Sequence, residues 1–187
     1  MNLHPTAIPG CVIVETGPRE DPRGSFAKTF HADVFAEAGL RTDWREEFYS
    51  RSRRNVVRGM HFQLPPADHA KLVYCLAGEV LDVVVDLRVG SPAYRQVVSE
   101  RLSASNGRGL YVPTGCAHGF LSLTDNSLML YKVTSVHAPA QDAGIAWDTI
   151  GFEWPVRQPL LSERDGRHPA LVDFASPFTF DLAEPHR

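Results

Sequence analysis

The sequence predicts a mostly β fold of the sandwich or jelly-roll barrel type. The 14 glycines and 14 prolines among 187 residues are somewhat above ordinary usage, and they fall between short runs of β-branched and aromatic residues. Hydrophobic residues make up 43% of the chain and charged residues 22%, as in a folded globular domain. The formal net charge of -3 provides no overall positive field, so we expect no nucleic-acid partner.

Each expected strand is a run of apolar, β-branched or aromatic residues that stops at a turn signal. These signals include Ala77-Gly78, Asn106-Gly107 and Asp125-Asn126, whose residues favour the backbone of tight turns. In order, the expected strands are residues 11–15, 25–30, 55–63, 71–76, 80–87, 96–102, 109–112, 119–123 and 128–137.

One short helix is expected over residues 32–38, because Val34, Phe35 and Ala38 form an apolar stripe and Gly39 follows as a stop. After residue 138 the pattern loosens into aromatic segments punctuated by proline, which indicates a C-terminal tail packed on the barrel. We therefore expect a single domain over residues 1–187, with a core at about residues 8–137 and a covering segment at 138–187.

The strand at residues 80–87 has one polar face. Its alternation places Asp82, Val84 and Asp86 together, opposite a fully apolar face. If the polar face looks into the barrel, it lines a wet pocket; if it looks outward, it is a solvated edge. The residues of this strand leave both possibilities open.

The cysteines indicate a reducing compartment. Cys11, Cys75 and Cys116 are odd in number and lack CxxC spacing, which argues against a disulfide framework and against a zinc ribbon. The first ten residues lack the basic and apolar regions of a signal peptide, and Glu79, Asp82 and Asp86 interrupt the most apolar stretch. We expect a cytoplasmic protein with no membrane span.

The segment Pro113–His118 has the form PxGxxH and resembles the second motif of the cupin jelly-roll superfamily. The first cupin motif would supply HxH and a glutamate as metal ligands. Here Gln63 stands in the place of the second histidine, and Lys71 stands in the place of the glutamate. The ammonium of Lys71 has no lone pair to give a metal. The sequence therefore predicts no metal site, and two histidines with a lysine suit proton transfer next to a carbonyl.

Seven blocks of sequence resemble dTDP-4-dehydrorhamnose 3,5-epimerases in order and spacing, from about residue 8 to residue 170. The resemblance implies an isomerase that needs no cofactor and inverts carbons beside the ketone of a nucleoside-diphosphate 4-keto-6-deoxy sugar. The blocks are DPRGSF (21–26), VRGMHFQ (57–63), AKLV (70–73), DVVVDLR (82–88), PTGCAHGF (113–120), YK (131–132) and LSERD (161–165).

The resemblance also assigns catalytic roles that fit the chemistry of an enolate. A C–H bond beside a ketone needs a base on one side, a cation or donor at the carbonyl oxygen and an acid on the opposite face. His61 would be the base, Lys71 the enolate stabiliser and Tyr131 the acid. Asp165 would pair with the base, fix its tautomer and stabilise its imidazolium form.

Substrate-binding residues follow from the same resemblance. Arg23 and Arg58 would grip the diphosphate, for which the guanidinium fork is well shaped. His118 would lie beside the keto-sugar, and Arg164 is expected among the binding residues. The family implies a homodimer with exchanged N-terminal strands, in which Arg23 and Phe26 reach the neighbour's site.

Other expected binding positions depart from the family. Glu46 and Phe48 replace a glutamine and an asparagine that contact the substrate, and His137 replaces the tyrosine that stacks on thymine. Lys28 stands where a glutamate is expected, and Asp142 where a glutamate is common. These departures favour retained enolate chemistry on another substrate: a CDP or GDP sugar, a heptose or dideoxy sugar, or inversion at C3 or C5 only.

Each assignment has a plainer alternative. His61 and His118 could be structural histidines, Lys71 a solvent-facing strand residue, Tyr131 a core aromatic and Asp165 a solvated loop acid. The basic run at residues 51–54 is expected to be a solvated turn without a role. A metal-dependent cupin and a non-catalytic sugar-binding cupin therefore stay open as other classes of function.

Overall fold

Two antiparallel β-sheets face each other in the computed structural model, which describes residues 1–181. The strands, in chain order, are β1 (Asn2–Pro5), β2 (Val12–Glu15), β3 (Arg19–Asp21), β4 (Gly24–Phe26), β5 (Glu46–Ser52), β6 (Val57–Gln63), β7 (Lys71–Ala77), β8 (Glu79–Asp86), β9 (Val97–Ser103), β10 (Arg108–Val112), β11 (Cys116–Ser122), β12 (Ser127–Val133) and β13 (Asp142–Gly144).

The sheets divide the strands unevenly. One sheet has six strands in the order β1-β2-β10-β7-β12-β5, and the other has five in the order β13-β6-β11-β8-β9. Strands β3 and β4 form a separate two-stranded hairpin. Most strand neighbours are distant in the chain, as in a jelly roll, and the predicted mostly β fold is confirmed.

Apolar side chains from both sheets fill the space between them. Val73 and Met129 come from the six-stranded sheet, and Val84 and Phe120 come from the five-stranded sheet. Burial of each such side chain stabilises the fold by about 1.5–3 kcal/mol. Asp82 lies on the same face of β8 as Val84 and is fully buried, so the polar face of this strand looks inward.

The C-terminal segment covers the outer face of the five-stranded sheet, as predicted. Its buried apolar side chains are Ile145, Ile150, Trp154, Leu171 and Phe178, which pack on the outward apolar side chains of the sheet. The Trp154 indole N–H donates to the Trp147 carbonyl at 2.9 Å, which satisfies the one polar atom that this ring carries.

A single α-helix, α1 (Ala32–Glu37), lies against the other sheet in the described part of the chain. It buries Phe35, which packs edge-on to Tyr111 of β10. Gly39 follows at φ 74°, a left-handed conformation that ends the helix at the predicted place. No helix within residues 1–181 is both long and apolar enough to span a bilayer. Cys11, Cys75 and Cys116 are buried and free.

Some predicted elements are wrong in extent. The expected strand at residues 25–30 is only the second half of the β3–β4 hairpin. The last expected strand, 128–137, stops at Val133, so Ser135 and His137 lie outside it. The basic run at residues 51–54 is a solvated turn only in its second half: Arg54 lies in an exposed turn, whereas Arg51 belongs to β5 and pairs with Leu128. Periodicity missed β5 itself, and also β1, β3 and β13, which are three or four residues long.

Candidate active site

A cavity of about 350 Å³ opens between the two sheets. Side chains of β6 and β11 line one wall, and side chains of β5, β7 and β12 line the other. It is lined by Glu46, Phe48, Ser50, Arg58, His61, Phe62, Gln63, His69, Lys71, His118, Phe120, Tyr131, Val133, Ser135, His137, Asp142 and Arg164.

His61 and Asp165 form a hydrogen-bonded pair at this cavity. His61 Nε2 lies 2.6 Å from Asp165 Oδ1, and the Asp165 side chain is only 5% exposed. An ionised carboxylate can only accept, so His61 donates from Nε2 and its Nδ1 is left free to take a proton. Burial lowers the pKa of His61, and Asp165 only partly offsets this, so the ring is neutral near pH 7.

Asp165 is the ionised partner in this pair. Burial would raise the pKa of Asp165, but the hydrogen bond from His61, the backbone N–H of Gly59 and the positive charge that His61 and His168 carry when protonated together lower it. The carboxylate is held at the start of a 3-10 turn, Asp165–Arg167, where the Asp165 backbone N–H donates to Ser162 Oγ at 3.0 Å. Asp165 is therefore a buried structural partner of the histidine and not a solvated loop acid.

Tyr131 lines the cavity from the sheet opposite to that of His61. It lies on β12, its ring is buried, and its hydroxyl hydrogen-bonds with Ser50 Oγ at 3.2 Å. Phe48, its cross-strand partner on β5, stacks on the ring at a centroid distance of 4.8 Å. Burial raises the pKa of Tyr131, so the phenol keeps its proton at neutral pH and can act as an acid.

Lys71 connects the two walls. It begins β7 in the six-stranded sheet, and its ammonium donates to the His61 carbonyl on the facing sheet at 3.0 Å. Burial lowers the pKa of Lys71 to about 8, and the nearby carboxylates of Asp142 and Asp82 limit the drop. Lys71 is thus a buried cation at the cavity, and the solvent-facing alternative is wrong.

His118 is held by a second carboxylate. It is the cross-strand neighbour of His61, and its Nε2–H donates to both oxygens of Asp82 at 2.9 Å. Burial raises the pKa of Asp82, and the charge and hydrogen bond of His118 offset part of that rise. The fixed ring packs edge-on to Tyr131 at 6.2 Å. Two of the histidines that line the cavity, His61 and His118, are therefore each oriented by an aspartate.

Most of the predicted binding residues lie around the same cavity. The Arg58 Nε–H donates to Ser52 Oγ at 3.0 Å, and Arg164 pairs with Asp142 at 2.7 Å. Glu46 lies near His137, whose backbone N–H donates to Glu46 Oε2 at 2.7 Å. Glu46 and Phe48 of β5, where the resemblance implies amides, both line the wall of the cavity.

Three predicted binding residues lie elsewhere in this chain. Arg23 is 90% exposed and pairs with Asp21 in the β3–β4 hairpin. Phe26 and Lys28 line a separate cavity that includes His31. One chain therefore does not bring Arg23, Phe26 or Lys28 to the cavity between the sheets, and their roles stay predictions.

Sequence reasoning missed several side chains of the site. Ser50 bonds Tyr131, and His69 lines the cavity beside Gln63, but no motif marks either residue. His168 Nε2 lies 3.6 Å from Asp165 Oδ1 and packs edge-on to His61. His61, Asp165 and His168 have ligand-type atoms within 4.8 Å of one another, a grouping that the cupin motifs do not predict.

The chain is similar in sequence to known sugar-nucleotide epimerases. Residues 5–173 match the family model described as dTDP-4-dehydrorhamnose 3,5-epimerase. A protein of that name from Shigella flexneri is 42% identical over 176 residues, which cover 92% of this chain and 97% of that protein. A dTDP-4-dehydrorhamnose 3-epimerase from Streptomyces niveus is 40% identical over 168 residues, covering 88% of this chain and 81% of that protein.

The fold is also similar to that of a solved epimerase. The structure of dTDP-6-deoxy-D-glucose-3,5-epimerase from Legionella pneumophila in complex with dTDP-4-keto-L-rhamnose superposes with a TM-score of 0.91. Sequence identity is 34%, and the match covers 96% of this chain and 99% of that one.

Proposed function

Since the chain belongs to the dTDP-4-dehydrorhamnose 3,5-epimerase family, we propose that it inverts C3 and C5 of a dTDP-4-keto-6-deoxy sugar. The observation that carries this proposal is the position of His61 and Tyr131 on facing sheets of one cavity. Inversion requires a base and an acid on opposite sides of a carbon, because one group acting on one face restores the starting configuration.

The proton transfers follow from the protonation states. Neutral His61 takes the proton from the carbon beside the ketone, and the electron pair of that C–H bond moves to the ketone oxygen as an enolate. The phenol of Tyr131 then gives its proton to the opposite face of the carbon, and the ketone re-forms. Solvent returns a proton to Tyr131 and removes one from His61, so the reaction needs no redox partner.

Two charges stabilise the intermediate. The ammonium of Lys71 stabilises the negative oxygen of the enolate. Lys71 is buried, and a buried charge acts more strongly on a nearby anion than a solvated one does. The carboxylate of Asp165 stabilises the imidazolium that His61 becomes. His118 stays oriented by Asp82 beside the reacting sugar.

In this proposal arginines bind the diphosphate of the nucleotide, and a second subunit supplies one of them. Arg58 is at the cavity, whereas Arg23 and Phe26 are exposed on a hairpin outside it. We place them in the cavity of a partner subunit, in a homodimer with exchanged N-terminal strands. The expected setting is the cytoplasmic synthesis of deoxysugars for cell-surface polysaccharides.

A second candidate keeps the chemistry and changes the substrate. Glu46 and Phe48 line the cavity at positions where the family resemblance implies amides, and an aromatic ring cannot hydrogen-bond a sugar hydroxyl. A CDP or GDP sugar, a sugar lacking that hydroxyl, or inversion at one carbon only would fit this change.

Deuterium exchange distinguishes these functions. The protein is incubated in deuterated water with 4-keto-6-deoxy sugars linked to dTDP, CDP or GDP, and C3 and C5 are followed by NMR. Label and inversion at both carbons of the dTDP sugar support the first candidate. Label at one carbon, or only with another nucleotide, supports the second. If the wild-type protein incorporates no more deuterium into any of these sugar nucleotides than the His61→Asn control does, the epimerase proposal is wrong.

A further inference from the structure

Ser50 is a cavity residue that the proposed proton transfers do not use. It lies on β5, the edge strand that pairs with β12, which carries Tyr131. Side chains alternate along a strand, so Phe48 and Ser50 share the face that looks into the cavity. Phe48 is the direct cross-strand partner of Tyr131, and Ser50 is the next residue on that face. Strand β5 therefore places a hydroxyl beside the phenol of the proposed acid.

Three side chains hold the phenol of Tyr131. The Phe48 ring stacks on it at a centroid distance of 4.8 Å, and the His118 ring packs edge-on at 6.2 Å. These ring contacts restrict the plane of the phenol, whereas a hydrogen bond acts on its oxygen. Ser50 Oγ lies 3.2 Å from Tyr131 Oη and is the one hydrogen-bond partner of that oxygen within residues 1–181.

The proposed reaction decides which of the two oxygens donates. Both groups are hydroxyls, and either can be the donor when Tyr131 is at rest. A phenol whose hydrogen points at a carbon of the sugar cannot give that hydrogen to Ser50, so it accepts from the Ser50 hydroxyl. After the transfer Tyr131 is a phenolate, which can only accept. Ser50 Oγ makes no other hydrogen bond in the described part of the chain, so its hydrogen is available.

A buried phenolate needs a donor. The Tyr131 residue is only 7% exposed, and burial raises the pKa of its phenol, which opposes loss of the proton. The hydrogen bond with Ser50 acts the other way and lowers this pKa, because it favours the charged form. Hydrogen bonds to a charged oxygen are shorter and stronger than those between neutral groups, so we expect the contact to shorten as the charge forms.

We infer that Ser50 is a positioning residue for the acid, whose hydroxyl donates to Tyr131 Oη, directs the phenol hydrogen at the substrate and stabilises the phenolate that remains. The inference rests on the proposed function, since it takes Tyr131 as the acid. In this step the O–H bond of Tyr131 breaks and a C–H bond forms at the enolate carbon. The O–H bond of Ser50 stays intact, and solvent later returns a proton to Tyr131.

Three substitutions separate the hydrogen bond from the shape of the side chain. Ser50→Ala removes the donor, and we expect kcat for inversion to fall about 10- to 100-fold, the loss of a hydrogen bond to a charged group. KM for dTDP-4-keto-6-deoxyglucose should stay within about 2-fold. Ser50→Thr keeps the hydroxyl and suits a strand, so its kcat should stay within about 3-fold of the wild type. Ser50→Cys keeps the shape but donates weakly, so its kcat should fall as in Ser50→Ala.

Deuterium exchange gives a readout that a merely structural role would not change. His61 removes the proton, so Ser50→Ala should still exchange the hydrogen beside the ketone with deuterated water. Exchange per inversion, measured by NMR of the sugar, should therefore rise about 10-fold or more over the wild type. Tyr49→Phe is the matched control, because Tyr49 is an exposed neighbour on β5, and it should leave the ratio unchanged.

A titration of the phenol tests the hydrogen bond without catalysis. A fluorinated tyrosine, whose phenol is more acidic than that of tyrosine, is placed at position 131 and followed by fluorine NMR in the free protein. Its pKa should be higher in Ser50→Ala than in the protein that keeps Ser50, because the bond favours the phenolate. A wild-type protein that does not epimerise would contradict the proposed function, and this titration would still test Ser50.

Several results would overturn the inference. A wild-type kcat in Ser50→Ala would show that the hydroxyl is not needed, and a wild-type kcat in Ser50→Cys would show that only its shape matters. Exchange and inversion that fall equally would place the effect on the whole cavity and not on Tyr131. A higher KM with unchanged kcat would make Ser50 a substrate contact. Equal pKa values of the fluorinated phenol with and without Ser50 would exclude the hydrogen bond.

Discussion

His61 and Asp165 are separated by 104 positions in the chain, yet His61 Nε2 and Asp165 Oδ1 lie 2.6 Å apart. The histidine belongs to β6, inside the five-stranded sheet, and the aspartate belongs to the segment that covers the outside of that sheet. This bond gives His61 one tautomer and one orientation, with Nδ1 as the proton acceptor.

Replacing Asp165 by asparagine should disable the base without changing its shape. An amide cannot stabilise an imidazolium by charge, and it can present its NH₂ group to the ring, which selects the wrong tautomer. We expect kcat for Asp165→Asn to fall by about 10²- to 10⁴-fold, the usual contribution of general-base catalysis. Steady-state kinetics measure this, with Asp173→Asn, an exposed aspartate of the same segment, as the control. A loss below about 3-fold would show that the pair is only structural.

Tyr131→Phe should separate proton removal from inversion. The variant keeps His61, so the carbon beside the ketone still exchanges its hydrogen with deuterated water, but no acid is left on the opposite face. We expect deuterium to appear with retained configuration and inversion to fall by about 10²- to 10⁴-fold. NMR of the labelled sugar distinguishes the two, and His61→Asn should lose both. Unchanged inversion in Tyr131→Phe would mean that another group supplies the second proton.

The pH profile of kcat/KM should have two limbs. Burial lowers the pKa of His61, so activity rises with pH as the base loses its proton below its ordinary pKa. Burial also lowers the pKa of Lys71 to about 8, so activity falls with rising pH as the cation is lost. Maximal activity therefore lies between the pKa of His61 and the pKa of Lys71.

Lys71→Arg tests the alkaline limb. A guanidinium stays charged, so we expect this variant to keep activity well above pH 8, although with a lower maximum because its shape differs. Lys71→Met should lose about 10²- to 10³-fold in kcat, as for a missing oxyanion donor. If the activity of Lys71→Arg falls at the same alkaline pH as that of the wild type, the alkaline limb belongs to another group.

Gly144 gives His168 the space it occupies. A Cβ at Gly144, which pairs with His61 across β13 and β6, would meet His168 Nε2 at 2.5 Å. We expect Gly144→Ala to destabilise the protein by about 1–3 kcal/mol, the usual cost of overpacking. In a His168→Ala background the cost should fall below about 0.5 kcal/mol, because the opposing ring is gone. Urea unfolding of the four proteins measures the coupling, and equal costs in both backgrounds would contradict it.

The fold was predictable from the sequence where burial produces a clear pattern. Strand β8 alternates between two faces, and the helix ends at Gly39 as its stripe indicates. Strand β5 was not predictable, because it lies at a sheet edge and most of its side chains are exposed. Its basic residue Arg51 looked in the sequence like part of a solvated turn. A short strand such as β13 exists only because β6 offers it a partner, which local sequence cannot reveal.

The residues of the candidate site were predictable where they belong to sequence motifs. Contacts that depend on how the strands pair were not predictable. His61, Lys71 and Tyr131 stand in recognisable blocks, and all three line one cavity. The pairing of Asp82 with His118 depends on the register of β8 and β11, which no spacing along the chain contains.

The covering segment ties activity to the completion of synthesis. The last strand, β13, ends at Gly144, but the partner of the base is encoded after that point. A nascent or C-terminally clipped chain that ends before Asp165 therefore lacks the carboxylate that holds the base. Turnover of a sugar nucleotide would thus report that Asp165 of the covering segment has docked against His61, and partly made copies of the enzyme would be silent.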